Sequence, residues 1–100
     1  MNLITICIPT YNQSKKLDIL LNQISKYIPN IPIILSDNCS TDDTQIVIKK
    51  YKNKLKNFVY STNNKNLGFD KNYLITIKNV KTQYFWLLGS DDEIYPKSVS

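Results

Sequence analysis

Hydrophobic and polar positions along the chain switch repeatedly between a period of two and a period near 3.6, and each switch marks an element. Residues 3–8 (LITICI) alternate in the manner of a strand, and Pro9 closes the run. From Ser14 the period lengthens. Leu17, Leu20, Leu21, Ile24 and Ile28 form the stripe of an amphipathic helix, with Ser14 as its cap and Pro29 and Pro32 beyond its end. Residues 31–36 (IPIILS) read as a second strand. Ser40 with Asp43 then resembles a capping box, opening a helix whose apolar face is Thr44, Val47, Ile48, Tyr51 and Leu55. A short strand at 58–61 (FVYS) is followed by a third helix with Phe69, Tyr73, Ile77 and Val80 on one side. The run 84–88 (YFWLL) is continuously apolar, as expected of a strand buried on both faces.

Strand starts fall near residues 3, 31, 58 and 84, at spacings of 28, 27 and 26 that match one βαβ repeat. Strands alternating with helices predict an α/β fold, an open sheet of mainly parallel strands with helices on both faces and right-handed crossovers. Neither a linker nor a composition break divides the pattern, so residues 1–100 belong to one domain. With 42% hydrophobic and 21% charged residues, the chain is neither a disordered tail nor a low-complexity segment. Its longest apolar run is far short of the ~20 residues of a membrane span. Met1 leads directly into a strand-like segment rather than a basic signal region, so a cytoplasmic protein is expected.

The net charge of +5 comes from thirteen lysines, no arginine and eight acids. Arginine does most of the bidentate reading of phosphate and guanine, so no nucleic-acid partner is expected. Lysine, asparagine, isoleucine and tyrosine supply 46 of the 100 residues while alanine is absent, the mark of A- and T-rich codons. Lys49, Lys50, Lys52, Lys54 and Lys56 crowd one helix end, where they suit the helix dipole or a weak hold on an anionic membrane at the inner face. The chain has no histidine, and Cys7 and Cys39 share no CxxC spacing. A zinc site, a Cys–His pair and a Ser–His–Asp triad are thereby excluded within it, and both thiols are expected reduced.

Ligands of open parallel sheets bind beyond the carboxyl ends of the strands, and the polar clusters of this chain sit there. The first strand is followed by Pro9-Thr10-Tyr11-Asn12, the second by Asp37-Asn38, and the fourth by Gly89-Ser90-Asp91-Asp92-Glu93. Carboxylates at the end of a rigid strand suit a hard cation such as Mg²⁺ or Mn²⁺, and adjacent side chains in extended chain point opposite ways. One acid could therefore reach a metal on a diphosphate while the other accepts from ribose hydroxyls; an exposed acidic turn is the plainer reading. Asp37 either shapes a turn through its own backbone or accepts from a base N–H. Lys71, in the first turn of the third helix, opposes the helix dipole and so suggests a phosphate or nucleotide contact, against a simple solvated lysine.

IPTYN at 8–12, SDNCSTDDT at 36–44, NLGFDKN at 66–72 and WLLGSDDEIYP at 86–96 resemble, in order, the motifs of family 2 glycosyltransferases with the GT-A fold. The resemblance covers nearly the whole chain. It implies a Rossmann-like sheet of order 3-2-1-4 and places residues 1–100 as the N-terminal, donor-binding part of a longer domain. Pro9, Thr10 and Asp37 are then expected to hold the nucleotide base, Lys71 to contact the nucleotide, Asp91 to face ribose and Asp92 to ligate Mg²⁺ or Mn²⁺. Gly89 stands where the family often has another aspartate, and Asn38 replaces a second acid common after the second strand.

The implied chemistry is inverting transfer of a sugar from a nucleotide-diphosphate donor to a hydroxyl of a glycan or lipid-linked acceptor. In the family the catalytic base lies downstream of the acidic pair, so no residue here is assigned as the base. The alternative is a non-catalytic, doubly wound Mg-binding or nucleotide-binding module. A P-loop is excluded, because Gly68 and Gly89 are the only glycines. A fourth strand left at the sheet edge is also expected to drive self-association.

Overall fold

Each alternating segment becomes a strand and each 3.6-period segment a helix in the computed structural model, which describes residues 3–90. The order is β1 (Ile4–Thr10), α1 (Ser14–Tyr27), β2 (Ile33–Asp37), α2 (Thr44–Tyr51), β3 (Phe58–Thr62), α3 (Phe69–Lys78) and β4 (Tyr84–Leu87). The strands form one parallel sheet in the expected order β3-β2-β1-β4. β1 runs two residues past the predicted stop and includes Pro9. Odd residues of β1 direct their backbone groups toward β4 and even ones toward β2, as the bonds Leu88 N–H to Cys7 O and Ile6 N–H to Pro32 O show. The missing N–H of Pro9 therefore faces the β4 side, and the β2 ladder continues unbroken to Thr10.

The two faces of the sheet differ in chemistry. Ile6 pairs with Ile33 and Trp86, and Ile8 with Leu35, so one face is aliphatic. Leu17, Leu20, Leu21 and Ile24 of α1 and Val47, Ile48 and Tyr51 of α2 bury that face in a single core. Each fully buried Leu or Ile contributes ~1.5–3 kcal/mol, so this layer holds the fold. The opposite face presents Thr5, Cys7 and Ser36, all buried beneath α3.

That second face corrects the reading of α3. The buried positions are Asn72 and Thr76, whereas Phe69 is 62% exposed. Asn72 meets Ser36, and Thr76 accepts at its carbonyl a weak bond from the Cys7 thiol, 3.9 Å away. Burial raises the pKa of that thiol, leaving it protonated and inert. Ser36 and Cys7 thus draw the polar side of the helix onto a mixed face that also carries Ile34. β4 likewise departs from a doubly buried strand: Tyr84, Phe85 and Leu87 are all exposed, because β1 is its only partner among the described residues.

The caps differ as well. Neither the residue before α1 nor the one before α2 makes a side-chain cap bond. Asp42 serves both helices, accepting from Ser14 N at 3.0 Å through Oδ2 and from Thr44 N at 3.0 Å through Oδ1. Desolvation opposes its charge, but these donors outweigh it and hold the carboxyl below its ordinary range. One carboxylate therefore pins two helix N-termini side by side, at the end of the sheet where β1 and β2 stop.

Candidate functional site

The carboxyl ends of β1, β2 and β4 and the segment before α3 converge on a cavity of about 360 Å³. Pro9, Thr10, Tyr11 and Gln13 enter it from the end of β1, and Asn38 from the end of β2. Asn66, Gly68, Phe69 and Asn72 form the wall leading into α3, and Gly89 and Ser90 close it beyond β4. No acidic or basic side chain is among these residues, so the walls carry polar groups but no formal charge.

Two tight turns shape the rim. Asn12 and Cys39 both adopt left-handed backbone angles, with φ of 48° and 67°. Asparagine tolerates this region well, and its side chain locks the neighbouring loop. Asn12 Oδ1 accepts from Thr41 N at 2.7 Å, while Asn12 N donates to Ser40 Oγ at 2.8 Å. The loops after β1 and β2 are thereby stapled together. Across the cavity Ser90 Oγ donates to Gln13 Oε1 at 2.5 Å, which ties the segment entering the acidic run to the β1 loop.

Thr10 lies 3% exposed on the cavity wall, and its Oγ1 has no hydrogen-bond partner. Among the described residues it is the one buried side-chain nitrogen or oxygen in that condition. A buried hydroxyl left unsatisfied costs ~1–3 kcal/mol.

Asp37 is fully buried, and it does not line the cavity. Its Oδ1 accepts from Ser40 N at 3.1 Å and from Ser40 Oγ, and its Oδ2 accepts from Gln45 Nε2 at 2.8 Å. The turn-shaping reading of Asp37 is thus realised in this geometry, with one lone pair of Oδ2 left over. Lys71 is exposed in the first turn of α3 and is not among the cavity-lining residues, although its neighbour Asn72 is. Pro9 and Thr10, expected to hold the base, lie on the cavity wall. Asp91 and Asp92, expected at ribose and metal, lie outside the described residues; Ser90, directly before them, is on the cavity wall. Among the described residues no cluster of three or more metal-ligating side chains occurs.

Sequence reasoning passed over the amide groups. Asn38, Asn63, Asn66 and Asn72 form one network with Ser36 and the Leu67–Gly68 backbone. Asn72 Nδ2 donates to Ser36 O at 3.0 Å, and its Oδ1 accepts from Ser36 Oγ at 2.6 Å and Asn63 Nδ2 at 2.9 Å. The available signal was the clustering of asparagines at the ends of β2 and β3, which codon bias masked.

A family model described as glycosyl transferase family 2 matches residues 5–100. The abequosyltransferase RfbV of Salmonella typhimurium is 41% identical over 98% of this chain and 31% of its own length. The solved structure of Staphylococcus aureus TarS residues 1–349 in complex with UDP superposes with a TM-score of 0.87 at 30% identity, over 99% of this chain and 30% of that one. The mannosyltransferase PcManGT of Pyrobaculum calidifontis, solved with GDP-Man and Mn²⁺, shares the fold at a TM-score of 0.81 and 16% identity, over 91% of this chain and 28% of its own. The chain spans about 31% of the length of RfbV, the first of these relatives.

Proposed function

The chain belongs to glycosyl transferase family 2, and from that premise we propose that its cavity binds the nucleotide-diphosphate part of a sugar donor for metal-dependent, inverting transfer to an acceptor hydroxyl. The observation that carries this reading is the unpartnered Thr10 hydroxyl, buried on the wall of a cavity where three strand ends meet. A base or ribose presents N–H, O–H and carbonyl groups that satisfy such a hydroxyl. Tyr11, 44% exposed at the same wall, offers a ring face for stacking. The motif roles of Asp37, at the base, and of Lys71, at the nucleotide, stay part of this reading, although neither residue lines the cavity.

The acidic pair fits a divalent cation by the chemistry of its donors. Carboxylate oxygens are the ligands that Mg²⁺ and Mn²⁺ prefer, and Asp92 is only two residue steps, at most about 7.6 Å of chain, past Ser90 on the cavity wall. Asp92 would hold the ion and Asp91 would face ribose hydroxyls. When bound, the ion supplies charge neutralisation for a departing diphosphate. TarS was solved with UDP, which makes a uridine donor the first to try. No helix among the described residues is long and apolar enough to cross a membrane. The reading places the reaction in the cytoplasm, with a glycan or lipid-linked acceptor.

Calorimetric titration of the full-length protein with UDP and other nucleoside diphosphates, with and without Mn²⁺, tests the proposal. Metal-dependent binding that disappears in Asp92→Ala supports it. Binding of Mg²⁺ with no nucleotide would favour the non-catalytic module instead.

A further inference from the structure

Asn38 lines the cavity, yet its side-chain amide has no hydrogen-bonding capacity left to offer a ligand. Its Nδ2 donates to Asn66 Oδ1 at 2.8 Å and to Gly68 O at 3.3 Å, while its Oδ1 accepts from Asn63 Nδ2 at 3.0 Å and from Leu67 N at 2.8 Å. All four sites of the amide are filled. The backbone partners fix its orientation: Leu67 N can only donate and Gly68 O can only accept. We propose that Asn38 is a positioning residue for the donor site, holding the Asn66–Phe69 wall in place through Asn66 and Gly68 rather than touching the ligand. This rests on the donor-site reading above.

The geometry shows why an amide is needed. Gly68 has a φ of +87°, and a Cβ there would meet open space, so the backbone angle alone calls for glycine. A hinge this permissive holds one conformation only if its groups are bonded. Gly68 N donates to Asn66 Oδ1 at 2.8 Å, so Asn66 Oδ1 accepts from both Asn38 and Gly68. Replacing Asn38 by aspartate keeps the shape and both acceptor bonds but removes both donors. A carboxylate oxygen then faces Asn66 Oδ1 and Gly68 O, two acceptors, across hydrogen-bond distance. Turning Asn66 over would relieve the first conflict, but only by releasing Gly68 N. Every escape loosens the segment that carries Gly68 and Phe69 into the cavity. The acid common at this position in the resembled family therefore does not suit the partners that this chain provides.

The test measures nucleoside-diphosphate affinity and melting temperature separately, on the full-length protein with Mn²⁺ and a panel of UDP, CDP, GDP and ADP. Affinities are taken well below each variant's own melting point, where circular dichroism shows it folded. Asn38→Asp is expected to raise the Kd of the preferred nucleotide about tenfold, equivalent to ~1.4 kcal/mol. A merely structural residue would lower the melting temperature and leave the Kd of the folded protein unchanged; an N38D affinity within about twofold of wild type overturns the proposal. If N38D does not fold, Asn66→Ala gives the same readout from an exposed position, with a rise in Kd of about fivefold expected and no change overturning it. Failure of the wild-type protein to bind any of the four nucleotides would instead overturn the donor-site reading, and this inference with it.

Discussion

Replacing Thr10 by valine should stabilise the protein and weaken it as a nucleotide binder, two effects of opposite sign from one atom. The substitution exchanges the hydroxyl for a methyl of nearly the same shape in a strand position that favours β-branched residues. Because Thr10 Oγ1 is buried without a partner, its removal relieves a desolvation cost of ~1–3 kcal/mol. In a domain of about 100 residues each kcal/mol is worth ~4–8 °C in melting temperature, and less in a longer chain. The hydrogen bond that a bound nucleotide would make there has a net worth of ~0.5–1.5 kcal/mol, so affinity should fall about 2- to 13-fold. Thr5 supplies the control. It lies in the same strand and is equally buried, but its hydroxyl is 2.7 Å from that of Thr82. Thr5→Val should therefore lower the melting temperature, by an amount corresponding to ~1 kcal/mol. Thermal melting followed by circular dichroism and calorimetric titration with a nucleoside diphosphate and Mn²⁺ read both effects. A Thr10→Val protein that melts below wild type, or binds nucleotide as tightly, refutes the reasoning.

Asp42→Ala removes acceptors from two helix N-termini and should cost ~1–3 kcal/mol near neutral pH, toward the low end because the carboxyl is exposed. Since its folded-state pKa is lowered, that stability is present above the ordinary aspartate range and is lost as pH falls through the folded value; urea melts should show the wild-type and variant curves converging below about pH 4. Tyr51→Phe should cost ~1–3 kcal/mol, because the Tyr51 hydroxyl donates to Asp18 Oδ1 from a side chain that is 1% exposed. The Tyr51 bond leads the causes that lower the Asp18 pKa, so the deficit of the variant in urea melts should shrink once acid protonates Asp18 in both proteins. The polypeptide 1–100 alone should self-associate through β4, whose Tyr84, Phe85 and Leu87 are exposed; a strictly monomeric species by sedimentation at high concentration contradicts this.

Much of the architecture was legible in the sequence because the aliphatic layer obeys simple periods. Leu17, Leu20, Leu21 and Ile24 face Ile6, Ile8, Ile33 and Leu35, and both sets are visible as repeats of 3.6 and 2. The βα spacing then led to a parallel sheet, the family resemblance supplied its strand order, and the cavity lies at strand ends, with Pro9 and Thr10 on its wall. What stayed hidden depends on polar partners distant in sequence. Asn72 and Thr76 are buried because Ser36 and Cys7 in the sheet beneath offer them polar partners, a fact no apolar count reveals. Asp42 caps a helix that begins 28 residues earlier, beyond any local capping pattern. Asp37 makes the turn and bonds Gln45, eight residues on in α2, a partner that the local turn pattern does not point to.

The claim that a nucleotide-sugar donor occupies this cavity is tested most directly by a crystal structure of the full-length protein with a nucleoside diphosphate and Mn²⁺. The account predicts the nucleotide between the β1 end and the Asn66–Phe69 wall, with a polar atom of its base or ribose within ~3.2 Å of Thr10 Oγ1 and the ion on Asp92. Nucleotide bound elsewhere, with the Thr10 hydroxyl still unpartnered, would contradict it.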